Sequence, residues 1–210
     1  MLRVTVLVSG GGTNLQALID AEKRGELQEA GIVRVISSNP DAYALKRAEL
    51  NGIEARVLVK EKGGALEEYG RKLIALTEEA DTDLVVLAGF LVVLPPVFIS
   101  RYENKIINIH PSLIPSFCGK GFYGLKVHEE ALKRGVKVTG ATVHFVDQGC
   151  DTGPILLQKA VEVGREDTPE ALQKKVMEEA EWKLLPKAVA LIAQNRVAIT
   201  DGKVHITDGN

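Results

Sequence analysis

The chain has only two cysteines in 210 residues, Cys118 and Cys150, each in a separate glycine-containing stretch. That count provides neither a disulfide framework nor a metal-ligand spacing, so no metal is expected and a reducing cytoplasm fits. An excess of one charge is also lacking. The formal net charge of −2 supports neither nucleic-acid nor membrane-surface binding. No apolar run is long enough to span a bilayer: the longest, residues 84–94, is interrupted by Gly89 and ends at Pro95-Pro96. No charged-apolar leader precedes the first apolar run at residue 2, so secretion is not expected. Internal repeats, low-complexity tracts and linkers are absent too, and 210 residues suffice for one domain with a substantial core.

What the sequence does contain is an alternation of short β-branched runs with helical periodicity. Residues 2–8, 32–36, 55–59, 84–88 and 106–109 read as strands. Helices are expected over about 13–24, with Thr13 or Asn14 as cap, then 42–50 and 65–79. The run at 84–88 is wholly apolar, as a strand buried on both faces of a parallel sheet would be. This βαβα rhythm predicts a doubly wound α/β domain. After residue 110 the pattern changes to a long loop over 111–124, a helix near 127–134, and strands at 138–146 and 155–163. A charged helix starts near Thr168 and Pro169 and is expected to bend or break before Pro186. Asp201-Gly202 between two short β runs marks a closing hairpin.

Three stretches could carry chemistry. In Ile106-Ile107-Asn108-Ile109-His110-Pro111-Ser112 the strand period puts Asn108 and His110 on one face, at the end where parallel sheets bind ligands. Ser9-Gly10-Gly11-Gly12-Thr13-Asn14 sits between a strand and a helix, where free amides suit an anion. It is neither a dinucleotide fingerprint, because Leu15 stands where glycine is needed, nor a P-loop, because no Gly-Lys-Ser/Thr follows. A cradle for a monophosphate and a tight turn without a ligand both fit it. The third stretch runs from His144 to Asp151. Its acids, Asp147 and Asp151, are either turn formers or a partner for His110. A carboxylate beside His110 would raise its pKa and make it a proton donor near neutral pH, with Asn108 donating to a developing oxyanion. Cys118 and Cys150 read as inert thiols, and His128 and His205 as packing or surface residues.

These stretches resemble the phosphoribosylglycinamide formyltransferases, folate-dependent enzymes of purine synthesis, over nearly the whole chain. The resemblance rests on Ser9-Gly10-Gly11-Gly12-Thr13-Asn14-Leu15-Gln16-Ala17, Ala88-Gly89-Phe90, Asn108-Ile109-His110-Pro111-Ser112-Leu113, Thr142-Val143-His144-Phe145-Val146 and Asp151-Thr152-Gly153-Pro154. It implies a Rossmann-like formyltransferase fold, with a mostly parallel central sheet and helices on both faces. It implies a single domain over residues 1–210, with a nucleotide half near 1–100 and a folate and catalytic half near 88–210. Asn108, His110 and Asp151 match the family's catalytic trio. Gly12, Thr13 and Asn14 match its nucleotide-phosphate loop. Leu91, Val92, Val93 and Leu94, with Asn108, match its folate contacts. The substrates implied are glycinamide ribonucleotide and 10-formyltetrahydrofolate as co-substrate, for a cytoplasmic monomer or homodimer with no nucleic-acid or membrane partner. The chain departs from the family pattern at Leu66 and Val92, where other members carry arginine, and at Glu181-Trp182, where a Glu-His pair is common.

Two rivals share the Asn-x-His-Pro-Ser motif. A formyltetrahydrofolate hydrolase usually carries an N-terminal regulatory domain, whereas the first strand here is expected at residue 2. Methionyl-tRNA formyltransferase needs a nucleic-acid-binding domain after the catalytic one, and this chain is short and mildly acidic. A non-catalytic module that binds a phosphate ligand is the third alternative. The intact Asn108, His110 and Asp151 speak against it.

Overall fold

The structure is a computed structural model that describes residues 1–207. Its seven-stranded, mostly parallel sheet has the order β3-β2-β1-β4-β5-β6-β7, with a separate two-stranded hairpin. The chain divides into two compact units, Met1–Ile107 and Asn108–Asn210, the boundary falling inside β5 (Ile106–His110).

In the first unit, β1 (Leu2–Val8), β2 (Ala30–Ser37), β3 (Glu54–Val57) and β4 (Leu84–Leu87) pair in parallel. Parallel neighbours need crossovers, supplied by α1 (Thr13–Lys23), α2 (Tyr43–Leu50) and α3 (Leu66–Glu78). β4 is buried on both faces, which explains its unbroken apolar run, and β1 is buried from Val4 to Val8. Strand order reverses between β1 and β4, the switch point where ligands enter such sheets beyond the carboxyl ends of the strands. Those ends lead into the glycine loop after Val8 and the Ala88-Gly89-Phe90 turn after Leu87.

One sequence expectation is corrected here, and one element is added. α1 is capped by Gly12 in a left-handed conformation (φ 72°), not by a Thr13 or Asn14 side chain. A helix, α4 (Pro96–Arg101), follows Pro95 in a stretch to which the sequence reading gave no element. Proline at the first helical position loses no hydrogen bond, so Pro95-Pro96 starts a helix here as well as ending the preceding apolar run.

In the second unit, α5 (Leu125–Arg134) ends at Gly135, whose φ of 75° closes it. β6 (Val138–Phe145) and β7 (Ile155–Glu162) pair antiparallel across the 147–154 loop. α6 (Pro169–Val176) is capped by the Thr168 hydroxyl, which accepts from the Ala171 N–H at 3.2 Å. It runs into a π-helical turn, Met177–Glu181, and then α7 (Trp182–Ala193). The expected irregularity before Pro186 is therefore this turn. Pro186 itself lies inside α7, where it cannot donate to the Trp182 carbonyl four residues back. β8 (Val197–Thr200) and β9 (Lys203–Ile206) form the expected hairpin around Asp201-Gly202.

α5 also carries a stability switch. His128 is fully buried, and neither ring nitrogen has a hydrogen-bond partner among the described residues. Burial, reinforced by the nearby His110, pushes its pKa down to about 4 from 6.5. The folded protein thus keeps His128 neutral at a pH where the unfolded chain takes up a proton. Stability from this site is present above pH 6.5 and is lost as pH falls towards 4. Between pH 7 and 5 the wild type should lose about 1–2 kcal/mol more than His128→Phe, measured by denaturant titration. Parallel pH profiles for the two proteins would remove His128 as the cause.

Candidate active site

β5 carries Asn108 and His110 to its carboxyl end, and β6 carries His144 towards the loop holding Asp151. Asn108 Nδ2 lies 3.1 Å from His144 Nε2. His144 Nδ1 donates to the Phe145 carbonyl at 2.8 Å, which leaves Nε2 as acceptor for the Asn108 amide. An amide nitrogen has two protons, so Asn108 keeps a second donor.

Asp151 stands between the two imidazoles. Its Oδ2 is 3.6 Å from His110 Nδ1 and its Oδ1 is 3.5 Å from His144 Nε2. The Gly119 N–H donates to Oδ2 at 2.8 Å. Burial pushes the Asp151 pKa up, but the contact with His144, the hydrogen bond from the Gly119 N–H and the neighbouring His110 outweigh it. The net direction is down, so Asp151 is ionised at neutral pH. Its backbone is left-handed (φ 58°), a conformation Asp tolerates and one found where structure holds a functional side chain under strain.

His110 is 4% exposed, and its Nε2 donates to the Phe117 carbonyl at 2.9 Å. Both ring nitrogens therefore face acceptors, the arrangement an imidazolium requires. The expected rise in its pKa is nevertheless overturned. Burial lowers it more than the Phe117 carbonyl and Asp151 raise it, and His144 lowers it further. In the substrate-free protein His110 is mostly neutral at pH 7.

The 111–124 loop is pinned where it leaves β5. Thr142 Oγ1 donates to the Ser112 carbonyl at 2.7 Å and accepts from the Ile114 N–H at 3.1 Å. Gln158 Nε2 reaches the Ile114 carbonyl at 3.0 Å. These bonds hold Phe117, itself left-handed at φ 49°, so that its carbonyl meets His110.

Asp147 and Asp151 have different tasks. Asp147 Oδ1 accepts from the Gly149 N–H at 3.0 Å and the Thr152 hydroxyl at 2.6 Å, which makes it the turn former. His144 received no role from the sequence, yet it bonds Asn108 and faces Asp151. Its signal was its place in the Thr142-Val143-His144-Phe145-Val146 motif.

The thiols are not activated by this network. Cys118 Sγ contacts the Pro115 carbonyl at 3.3 Å, and Cys150 Sγ lies 3.9 Å from Asp151 Oδ2. Burial and the Asp151 charge push both pKa values up, opposite to an activated thiolate. Cys118→Ser combined with Cys150→Ser should keep most of the wild-type turnover. An inactive but folded double variant, or a formylated thiol seen by mass spectrometry, would restore a nucleophilic role.

In the first unit, Ser9 Oγ accepts from the Leu91 N–H at 2.9 Å and bonds Ser38 Oγ at 2.6 Å. The glycine loop and the 91–94 segment are thereby tied together at the switch point. Within that segment Leu91 is 63% and Val93 76% exposed, while Leu94 is buried. Gly12 packs on α2, with the Ala44 N–H donating to the Gly10 carbonyl at 3.1 Å.

Residues 2–189 match the family described as formyl transferase. The chain belongs to the formyl transferase family. The crystal structure of glycinamide ribonucleotide transformylase 1 from Symbiobacterium toebii superposes with a TM-score of 0.92 at 39% identity, covering 99% of this chain and 95% of that one. Phosphoribosylglycinamide formyltransferase of Escherichia coli is 38% identical over 197 residues, 93% of this chain and 89% of that protein. The trifunctional purine biosynthetic protein adenosine-3 of Gallus gallus is 41% identical over 204 residues. Those residues are 97% of this chain and 20% of that protein, so the chain spans about a fifth of this trifunctional relative. Among the described residues no group of His, Cys, Asp and Glu is arranged to hold a metal, and no helix is long and apolar enough to cross a membrane.

Proposed function

We propose that this formyl transferase moves the formyl group of 10-formyltetrahydrofolate to the primary amine of glycinamide ribonucleotide, in the cytoplasm and without a metal. The observation that carries the chemistry is the ionised Asp151 between His110 and His144, with the Asn108 amide bonded to His144. The names and near full-length match of the bacterial relatives support the choice of substrates.

The amine lone pair attacks the formyl carbon, and the carbonyl electrons move to oxygen. Asn108, through its second N–H, and His110 stabilise that oxyanion, an effect that depends on donors fixed before the charge develops. His110 frees its Nε2–H from Phe117 to do so. Asp151 offsets the burial that holds His110 neutral, so the approaching negative charge and the carboxylate together favour the imidazolium. The C–N bond to the folate then breaks. Its nitrogen takes a proton, by way of His110, and the attacking amine loses one to water oriented by Asp151. No covalent bond to the protein forms.

Gly12, Thr13 and Asn14 bind the phosphate end of the nucleotide, where glycines admit a close approach and a helix start favours an anion. Leu91, Val92, Val93 and Leu94 take the pterin, largely through backbone groups. The exposed Leu91 and Val93 side chains add apolar surface there.

The test is a spectroscopic assay of tetrahydrofolate release with each substrate withheld in turn. Turnover should require both substrates and yield formylglycinamide ribonucleotide. Release of formate at the same rate without the nucleotide would establish a hydrolase instead, and folate binding with no turnover a degenerate module.

A further inference from the structure

We infer that Arg47 is a positioning residue for the nucleotide: its guanidinium orients the glycine loop so that the backbone amides of that loop face the phosphate. The inference rests on the assignment of the loop to glycinamide ribonucleotide made above.

Arg47 lies in α2 and reaches out to the loop between β1 and α1. Its Nε donates to the Gly11 carbonyl at 2.8 Å, and its Nη1 donates to Gln16 Oε1 at 3.0 Å. Gln16 is fixed in turn, its Nε2 donating to Asp20 Oδ1 at 2.9 Å. The Arg47 Cζ sits 5.1 Å from the centroid of the Tyr43 ring, so an aromatic face holds a further side of the cation. A half-buried arginine is thus anchored to a carbonyl, an amide and a ring, on two different helices and the loop.

Peptide geometry turns that anchorage into an orientation. In a trans peptide the C=O of one residue and the N–H of the next point in opposite directions, and the only cis bond among the described residues is Ile114–Pro115. The Gly10 carbonyl is held by the Ala44 N–H at 3.1 Å, so the Gly11 N–H points away from α2. The Gly11 carbonyl is held by Arg47, so the Gly12 N–H points away from α2 as well. Two consecutive amides therefore face the same side, as backbone anion sites require. The Gly10–Gly11 plane is held by the backbone of α2, whereas the Gly11–Gly12 plane is held by the Arg47 side chain. Gly10 and Gly11 have nothing within 4 Å of where a Cβ would stand, so packing does not otherwise restrain them.

Lysine cannot replace this function. It keeps the charge but offers a point donor where arginine offers a planar fork that binds two acceptors at once. The experiment compares Arg47→Lys and Arg47→Met with the wild type in the full chain, with Gly12→Val as control. Four quantities are measured: kcat, KM for each substrate, inhibition by inorganic phosphate, and Tm. Both Arg47 variants should raise KM for the nucleotide roughly tenfold, the loss of a charge-assisted hydrogen bond, and weaken phosphate inhibition in parallel. KM for the formyl donor, kcat at saturation and Tm should stay close to wild type.

An Arg47→Lys protein with wild-type nucleotide KM would reduce Arg47 to a source of charge and overturn the orienting role. Unchanged nucleotide KM in both Arg47 variants, with a raised value in Gly12→Val, would overturn it too while leaving the loop as the nucleotide site. A uniform loss of Tm and of every kinetic parameter would make Arg47 part of the scaffold only. Unchanged nucleotide KM in Gly12→Val itself would remove the loop from the nucleotide site, a failure of the underlying assignment and not of Arg47 alone. Should Arg47→Met fail to fold, Arg47→Lys and the phosphate titration decide.

Discussion

Asp151→Asn should lower turnover about 100-fold to 10,000-fold, the range for disabling a proton-transfer partner, with only a modest change in folate affinity. Asparagine nearly preserves the shape of aspartate but removes its charge. In the wild type only two influences raise the His110 pKa, the Phe117 carbonyl and Asp151, and burial already outweighs both. Without the carboxylate the His110 pKa falls further, so the imidazolium becomes scarcer at neutral pH and relatively more available in acid. The residual activity of the variant should therefore peak at lower pH than that of the wild type. The Gly119 N–H, which donates to Oδ2 at 2.8 Å, can still find the amide oxygen, so the loop should stay in place. Titrating a folate analogue reports ground-state binding, and stopped-flow turnover across pH reports the chemistry. Near-normal turnover would take Asp151 out of the mechanism. A matching loss of folate affinity would make it a binding residue only.

Strand β4 could be read from the sequence because a strand buried on both faces leaves an unbroken apolar run, whatever it pairs with, and β1 and β5 because β-branched residues dominate them. Asn108 and His110 were legible for a related reason, since the strand period alone puts them on one side. Of their partners, Asp151 was left open by the residues alone and named only through the resemblance, and His144 was given no role. His144 and Asp151 come from β6 and the loop after it, and side-chain meetings between segments 36 or more residues apart leave no local trace. The His110 pKa failed for the same cause: a sequence displays a carboxylate that could sit nearby but not how deeply the ring is buried. Burial decided the sign. The Gly12 cap was missed because Thr13 and Asn14 are strong capping residues by type, and only the backbone shows that the chain enters α1 through a left-handed turn. α4 was hidden by its length of six residues, too short for periodicity to register.

Gly12→Val should raise KM for glycinamide ribonucleotide by about tenfold or more while leaving that for 10-formyltetrahydrofolate close to its original value. Gly12 has φ 72°, a conformation that costs an L-residue about 1–2 kcal/mol and suits β-branched residues least. Space is short as well. A Cβ there would stand 2.6 Å from Ala44 Cβ and 2.8 Å from Ala44 Cα, and the backbone atom cannot step aside as a flexible side chain would. The loop must therefore shift away from α2, displacing the amides proposed to face the phosphate. The tie to the folate segment runs through the Ser9 hydroxyl and the Leu91 N–H, three residues before Gly12 and not through Ala44. The two KM values should thus separate. Circular dichroism and Tm come first, because a strained turn can unfold a domain before it alters a site. Should valine prove too disruptive, Gly12→Ala carries the same Cβ with less bulk. In the unmodified protein, inorganic phosphate should compete with the nucleotide and not with the folate. If the Gly12 change weakens folate instead and spares the nucleotide, the two substrate assignments are reversed.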